Sequence, residues 1–162
     1  MPAASCNADI STLCRAVQSL QGEGAFPVAL AAADWQRLAP YLARRELPAG
    51  SLLMRRGDTD RMAYWVQEGQ LQVYVVGGPP GSHRIALLAA GTIVGEPALF
   101  GAAARMAHVE ALTDVVVWGL GAECFDALAA QDTPLALAVL RGAGAVMAAR
   151  LRANLERGIP LS

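Results

Sequence analysis

The chain has no lysine: all thirteen of its basic residues are arginines, so Schiff-base chemistry, which needs a primary amine, is excluded. Histidine is scarce too, with only His83 and His108. The three cysteines, Cys6, Cys14 and Cys124, stand far apart without C-x-x-C spacing, and with two histidines they make no recognisable zinc site. Cysteine used in this way fits a reducing cytosol, and a cytoplasmic location is expected. Charged side chains are few, 17% of the chain, and thirteen basic against fourteen acidic leave a net charge of −1. No broad positive field exists to hold a nucleic-acid backbone, so direct DNA binding is not expected. The first residues, Met1 to Asp9, lack the basic start and apolar run of a secretory signal. The longest apolar stretch, Pro134 to Leu151, contains Arg141, Arg150 and the helix-loosening Pro134, Gly142 and Gly144, which argues against a membrane span. What is present is 162 residues of 54% hydrophobic content, enough for one soluble domain with a substantial core.

Residues 10 to 46 read as helical. Leu13, Val17 and Leu20 recur at helical spacing, Gln21-Gly22-Glu23-Gly24 makes a break, and Asp34 can cap a run with Trp35, Leu38, Tyr41 and Leu42. From Pro48 the texture changes to short apolar runs separated by turn residues: Pro48-Ala49-Gly50-Ser51, Gly57-Asp58-Thr59-Asp60, Glu68-Gly69-Gln70, Gly77-Gly78-Pro79-Pro80-Gly81 and Ala90-Gly91-Thr92. Between them lie candidate strands at Leu52–Met54, Met62–Gln67, Leu71–Val76, Arg84–Leu88, Met106–Leu112 and Val115–Leu120. Leu71, Val73 and Val75 alternate with Gln72, Tyr74 and Val76, as a half-buried strand requires. Six to eight such strands predict a barrel or jelly roll. After Trp118-Gly119-Leu120 the helical period returns with Phe125 and Leu128, then a Pro134 start and a long run through Leu137, Leu140, Val146, Met147, Leu151 and Leu155. With the chain stopping at Ser162, no helix-turn-helix is expected after that helix. Trp35, Trp65 and Trp118 read as core, His108 as a strand residue and His83 as part of a loop.

One stretch has the composition of a binding site: Gly95-Glu96-Pro97-Ala98-Leu99-Phe100-Gly101, followed by three alanines and Arg105. Pro97, with no amide hydrogen and a fixed φ, suits the first position of a one-turn helix. The amides of Ala98, Leu99 and Phe100 are expected to point out of its start, and the small Gly95 and Ala98 would let an anion approach. Arg105, at the start of an apolar strand, is costly unless an anion meets it, and its planar fork suits phosphate oxygens. Glu96 repels phosphate but suits a sugar hydroxyl, so the two together describe a sugar phosphate. From spacing alone, an ordinary ion pair between Glu96 and Arg105 stays open.

From about Trp35 to about Leu155 the sequence resembles the cyclic nucleotide-binding domains of bacterial catabolite activators, protein kinase A regulatory subunits and cyclic nucleotide-gated channels. The resemblance lies in a glycine frame, Gly50-x-x-Leu53-x-x-x-Gly57-Asp58, Tyr64-Trp65-Val66-Gln67-Glu68-Gly69 and Leu71-x-Val73. It lies also in a phosphate-binding cassette, Gly95-Glu96-Pro97-Ala98-Leu99-Phe100 with Arg105-Met106-Ala107-His108-Val109. It implies a mainly β fold: an eight-stranded, jelly-roll-like β-roll with N-terminal helices, a short phosphate-binding helix and a long C-terminal helix. Residues 1–33 would be a helical extension outside the family core, a candidate for partner contact, and 34–162 the cyclic nucleotide-binding roll, all in one domain.

The resemblance further implies that Glu96 accepts from the ribose 2′-hydroxyl and that Arg105 clamps the cyclic phosphate. The backbone around Gly95, Ala98, Leu99, Met106 and Ala107 would complete the phosphate shell. The purine would lie between Ile85 and Val94 of the roll and the C-terminal helix, with Leu151, Asn154 or Leu155 as its lid. Met106 stands where many members carry serine or threonine, so a hydroxyl that can bond phosphate or guanine is absent; this favours cAMP over cGMP. Ala104 stands where proline is common and Pro97 where an aliphatic is usual. The expected function is non-catalytic: ligand shifts the C-terminal helix, which relays the signal to an effector protein, with no cofactor. Leu137, Leu140, Met147 and Leu151, with the small Gly142, Ala143, Gly144 and Ala145, would form a homodimer seam. Two rival readings are a cupin-like metal enzyme, which needs more histidines than His83 and His108, and a degenerate roll serving only as a dimerisation or interaction module.

Overall fold

A computed structural model describes residues 3–22, 24–75 and 84–158; the Gly77–Gly81 turn and His83 lie outside them. Helix α1 spans Ala3–Ser19 and α2 spans Ala32–Leu38, followed by a 3-10 turn at Ala39–Tyr41. The strands are β1 (Ala43–Leu47), β2 (Leu52–Met54), β3 (Met62–Glu68), β4 (Leu71–Tyr74), β5 (Arg84–Leu88), β6 (Ile93–Val94), β7 (His108–Ala111) and β8 (Val115–Gly121). Helices α3 (Ala122–Gln131) and α4 (Thr133–Glu156) close the chain, and a second 3-10 turn, Glu96–Leu99, lies between β6 and β7. The strands form two antiparallel four-stranded sheets, ordered β1-β8-β3-β6 and β2-β7-β4-β5. This is the mainly β roll with flanking helices that the strand rhythm predicts.

The core has two compartments, and β3 divides them. Tyr64 and Val66 face the roll interior with Leu47, Met54, Leu71, Val94, Val109 and Val117. Ala63 and Trp65 face the helices, where they join Ile10, Leu13, Trp35, Trp118, Val139 and Val146. A strand buried on both faces needs an almost unbroken apolar run, which Met62–Val66 supplies. Trp65 packs edge-on against Trp35 and Phe26, with ring centroids 5.5 and 5.8 Å apart. The N-terminal helix is part of this same core: Ile10, Leu13, Cys14 and Val17 are all buried.

Three local expectations are corrected. Residues 43–47 form a strand, β1, although Ala-Arg-Arg-Glu-Leu is a good helical sequence. Pairing with β8 from Ala43↔Gly119 to Leu47↔Val115 overrides a weak propensity. The residue preceding α2 is Ala31, and Asp34 sits one turn inside, where its Oδ2 accepts from the Ala31 amide at 2.8 Å. The seam residues on α4 also divide differently. Gly142 and Ala143 are buried, and a Cβ on Gly142 would overlap the Phe26 ring, so this notch receives an aromatic side chain of the same chain. The outward stripe is Leu137, Arg141, Ala145, Ala148, Arg152 and Leu155. Helix α4 is long and apolar enough to cross a membrane, but Leu135, Ala136, Val139 and Val146 are buried in the core.

Candidate functional site

Gly95, with φ +76°, turns the chain from β6 into the 3-10 turn that begins at Glu96, with Pro97 next in that turn. A Cβ on Gly95 would overlap Met54 Cε and lie 2.8 Å from the Met62 carbonyl oxygen and 3.0 Å from Arg105 Nη1. Only glycine fits both the conformation and the space. The amides expected to be free are partly used: Ala98 donates to the Gly95 carbonyl at 3.1 Å and Phe100 to that of Pro97 at 3.0 Å. A single 3-10 turn closes i→i+3 bonds from its first carbonyl, so it has few donors left for a ligand.

Arg105 precedes β7 in an irregular segment and is held from several sides. Its amide donates to the Asp58 carbonyl at 2.7 Å, and its carbonyl accepts from Gly57 at 2.8 Å. Its side chain is 8% exposed, and the guanidinium grips Asp60 through Nε–Oδ1 at 3.1 Å and Nη2–Oδ2 at 2.7 Å. Nη2 also donates to the Met62 carbonyl, and Nη1 to that of Gly95 at 3.4 Å. The hydrogen bond from Arg105, more than the opposing burial, holds the Asp60 carboxyl below the usual carboxylate range. Four of the five guanidinium N–H donors are thus engaged, which leaves one without a partner among the described residues.

Glu96 does not pair with Arg105. It is buried, 4% exposed, and its Oε1 accepts from Arg150 Nη1 at 2.7 Å. Arg150, on α4, also donates through Nη2 to the Ile93 carbonyl at 2.6 Å. One guanidinium therefore ties the C-terminal helix to both the cassette and β6.

These groups surround a cavity of about 590 Å³. Ile85, Val94, Gly95, Glu96 and Ala98 line it, together with Arg105, Met106, Ala107 and Asn154. Three expected residues do not. Leu99 is buried in the helix-side core, and Leu151 and Leu155 are 46% and 59% exposed. The reason is helical phase: Arg150, Asn154 and Arg157, spaced by four and three, share the face of α4's C-terminal end that meets the cavity, and the leucines one position on are rotated away. Sequence reading missed Arg150, although Arg150, Asn154 and Arg157 form a polar stripe at helical spacing that could have been found. It also missed Asp60, which lies 45 residues from its partner with no local signal. Among the described residues no group of three or more His, Cys, Asp or Glu could hold a metal ion; His108 Nδ1 accepts from the Arg56 amide at 3.2 Å.

The sequence model described as "Cyclic nucleotide-binding domain" matches residues 44–132. Among curated proteins, an uncharacterized NTE family protein of Mycobacterium tuberculosis is 37% identical over 106 residues, 65% of this chain and 18% of that protein. A cGMP-dependent protein kinase of Caenorhabditis briggsae is 38% identical over 77 residues, 48% of this chain and 10% of that protein. The chain therefore spans less than a fifth of the length of these relatives. Among solved structures, a cyclic nucleotide-binding domain from Methylobacillus flagellatus superposes with a TM-score of 0.77 at 19% identity, covering 96% of this chain and 86% of that one. The Thermus thermophilus catabolite activator protein gives 0.68 at 28% identity, covering 81% and 60%.

Proposed function

The chain belongs to the cyclic nucleotide-binding domain family, and from that premise we propose that it is a cAMP sensor whose C-terminal helix relays occupancy of the cavity to an effector protein. One observation carries this reading: Glu96 and Arg105 line a single cavity, and α4 reaches into it to hold Glu96 through Arg150. The cyclic phosphate takes the remaining donor and the charge of Arg105, a fork already oriented by Asp60. The ribose 2′-hydroxyl donates to Glu96. The purine lies over Ile85 and Val94, and the Asn154 amide, with both a donor and an acceptor, reaches its polar edge. Met106 offers no hydroxyl for a guanine amino group, so adenine is preferred.

Coupling follows from geometry. Ligand at Glu96 touches a carboxylate bonded to α4, so it binds best when α4 is seated, and the population moves by that difference in affinity. The outward stripe of α4, with Leu137 and Leu155 46% and 59% exposed, is the surface for a second copy or for the effector. The role is regulatory, non-catalytic and cytoplasmic, and it acts through a protein partner without direct DNA contact.

A second reading keeps the roll as a dimerisation or interaction module that binds no nucleotide. It draws support from the fact that both anchors already have protein partners, Arg105 with Asp60 and Glu96 with Arg150. Calorimetry with cAMP and cGMP separates the two. For the sensor, Arg105→Ala is expected to weaken cAMP binding by about 2–4 kcal/mol, roughly 30- to 1000-fold, the scale for removing a charge-assisted hydrogen bond from a desolvated site. Cyclic AMP at about 100 times its dissociation constant should add ~2.7 kcal/mol to stability. Absence of both heat and melting shift selects the module.

A further inference from the structure

We propose that Leu20 and Gly24, in the segment joining α1 to α2, contact the ligand, forming a third wall of the cavity beside the roll and α4; this rests on the nucleotide-binding reading above. Both residues line the cavity, and the chain is seated closely on either side of them, at Gly91 and at Phe26. Gly91, with φ +93° in the turn between β5 and β6, receives the last turn of α1. A Cβ there would overlap the Ala16 carbonyl oxygen and lie 2.9 Å from Leu20 Cβ. No other residue type permits so close a seat, so backbone contact sets the position of Leu20. Four residues on, a Cβ on Gly24 would come within 3.5 Å of Thr92 Cγ2 and 3.9 Å of Arg150 Nη2. Phe26 then fills the Gly142 notch of α4 and packs edge-on against Trp65.

The Arg150 guanidinium relates this wall to the ligand. Its Nη1 bonds Glu96 at 2.7 Å, while its Nη2 lies 3.9 Å from the Cβ position of residue 24. Arg150 therefore stands between Glu96 and the wall, and a molecule whose sugar engages Glu96 occupies the same cavity that Leu20 and Gly24 line. What it meets there is apolar surface from Leu20, bare backbone at Gly24, and the buried polar Thr92 on the same lining. That surface suits a flat ring edge. It also makes the N-terminal segment a participant in binding, and through Phe26 and Gly142 the same segment touches the middle of α4.

The test uses the full chain with Leu20→Cys, and separately Gln18→Cys, exposed on α1 and off the cavity lining, as control. Each is treated with methyl methanethiosulfonate, with and without cAMP, and modification is located by peptide mass spectrometry. At about 100 times the dissociation constant, cAMP should slow modification at position 20 by more than about tenfold and leave position 18 unchanged. Leu20→Trp, which fills the wall, should weaken cAMP about tenfold or more in calorimetry with melting retained. Arg105-dependent cAMP heat without protection at position 20 overturns the inference and leaves the sensor reading standing. No cAMP heat in the unaltered chain refutes the sensor reading, and this inference falls with it.

Discussion

Arg150→Ala tests the link between cavity and helix most directly. The wild-type guanidinium makes two short bonds, 2.7 Å to Glu96 Oε1 and 2.6 Å to the Ile93 carbonyl. The Glu96 side chain is 5% exposed and that of Arg150 23%, so the pair lies near the buried limit. There, removing one partner costs about 3–5 kcal/mol, because the other charge is stranded. The partial exposure of Arg150 lets water reach the vacated space, which reduces the expected loss to about 2–3 kcal/mol. For a domain of this size each kcal/mol lowers the melting temperature by about 2–4 °C, so the variant should melt roughly 4–12 °C lower. Adding Glu96→Gln should recover part of that loss, because a neutral amide is less costly to bury than an unpaired carboxylate. Arg150→Lys should not restore the wild-type value, since one ammonium cannot span both acceptors as the fork does. Hydrogen exchange should show faster opening of the C-terminal turns of α4, with β3 and β8 unchanged. A melting temperature within about 2 °C of wild type, together with unaltered exchange in α4, would refute the view that this pair seats the helix.

Two further outcomes follow from the same structure. Asp60 is held below its ordinary carboxylate range by Arg105, so the unfolded chain takes up this proton first as pH falls. The stability it contributes is present above the ordinary value of about 3.9 and is lost as pH drops through the lower folded value. Asp60→Asn should flatten the acid limb of a melting-temperature series below about pH 4, and an unchanged slope would show that the pair is not formed in solution. For the α4 stripe, light scattering of the wild type at micromolar concentration should give a dimer that Leu155→Asp dissociates. A monomeric wild-type mass removes the seam.

Much of this molecule was legible from local pattern. Turn residues at near-regular intervals marked six of the eight strands, because a reversal of chain direction needs glycine, proline or a small polar residue wherever it occurs. The stretch from Gly95 to Arg105 that lines the cavity was legible for a related reason. Gly95, Pro97 and Arg105 are residue types whose backbone or donor geometry few others can replace, so their spacing carries information. Strand β1 was hidden because Ala43–Leu47 pairs with β8, far along the chain, against its own helical preference. Strand β6 was hidden because Ile93–Val94 is too short to show a period.

The sequence by itself determined the fold class, the turn that begins at Gly95 and the presence of Glu96 and Arg105 near it, since each depends on residues close together in the chain. Only the tertiary structure decided which charges those residues meet. Asp60 reaches Arg105 across 45 positions and Arg150 reaches Glu96 across 54, and ion pairing depends on distance in space, which chain order does not encode. The face of α4 that meets the cavity was likewise decided by docking: with Phe26 in the Gly142 notch and Val139, Ala143 and Val146 in the core, Arg150 and Asn154 line the cavity while Leu151 and Leu155 remain exposed.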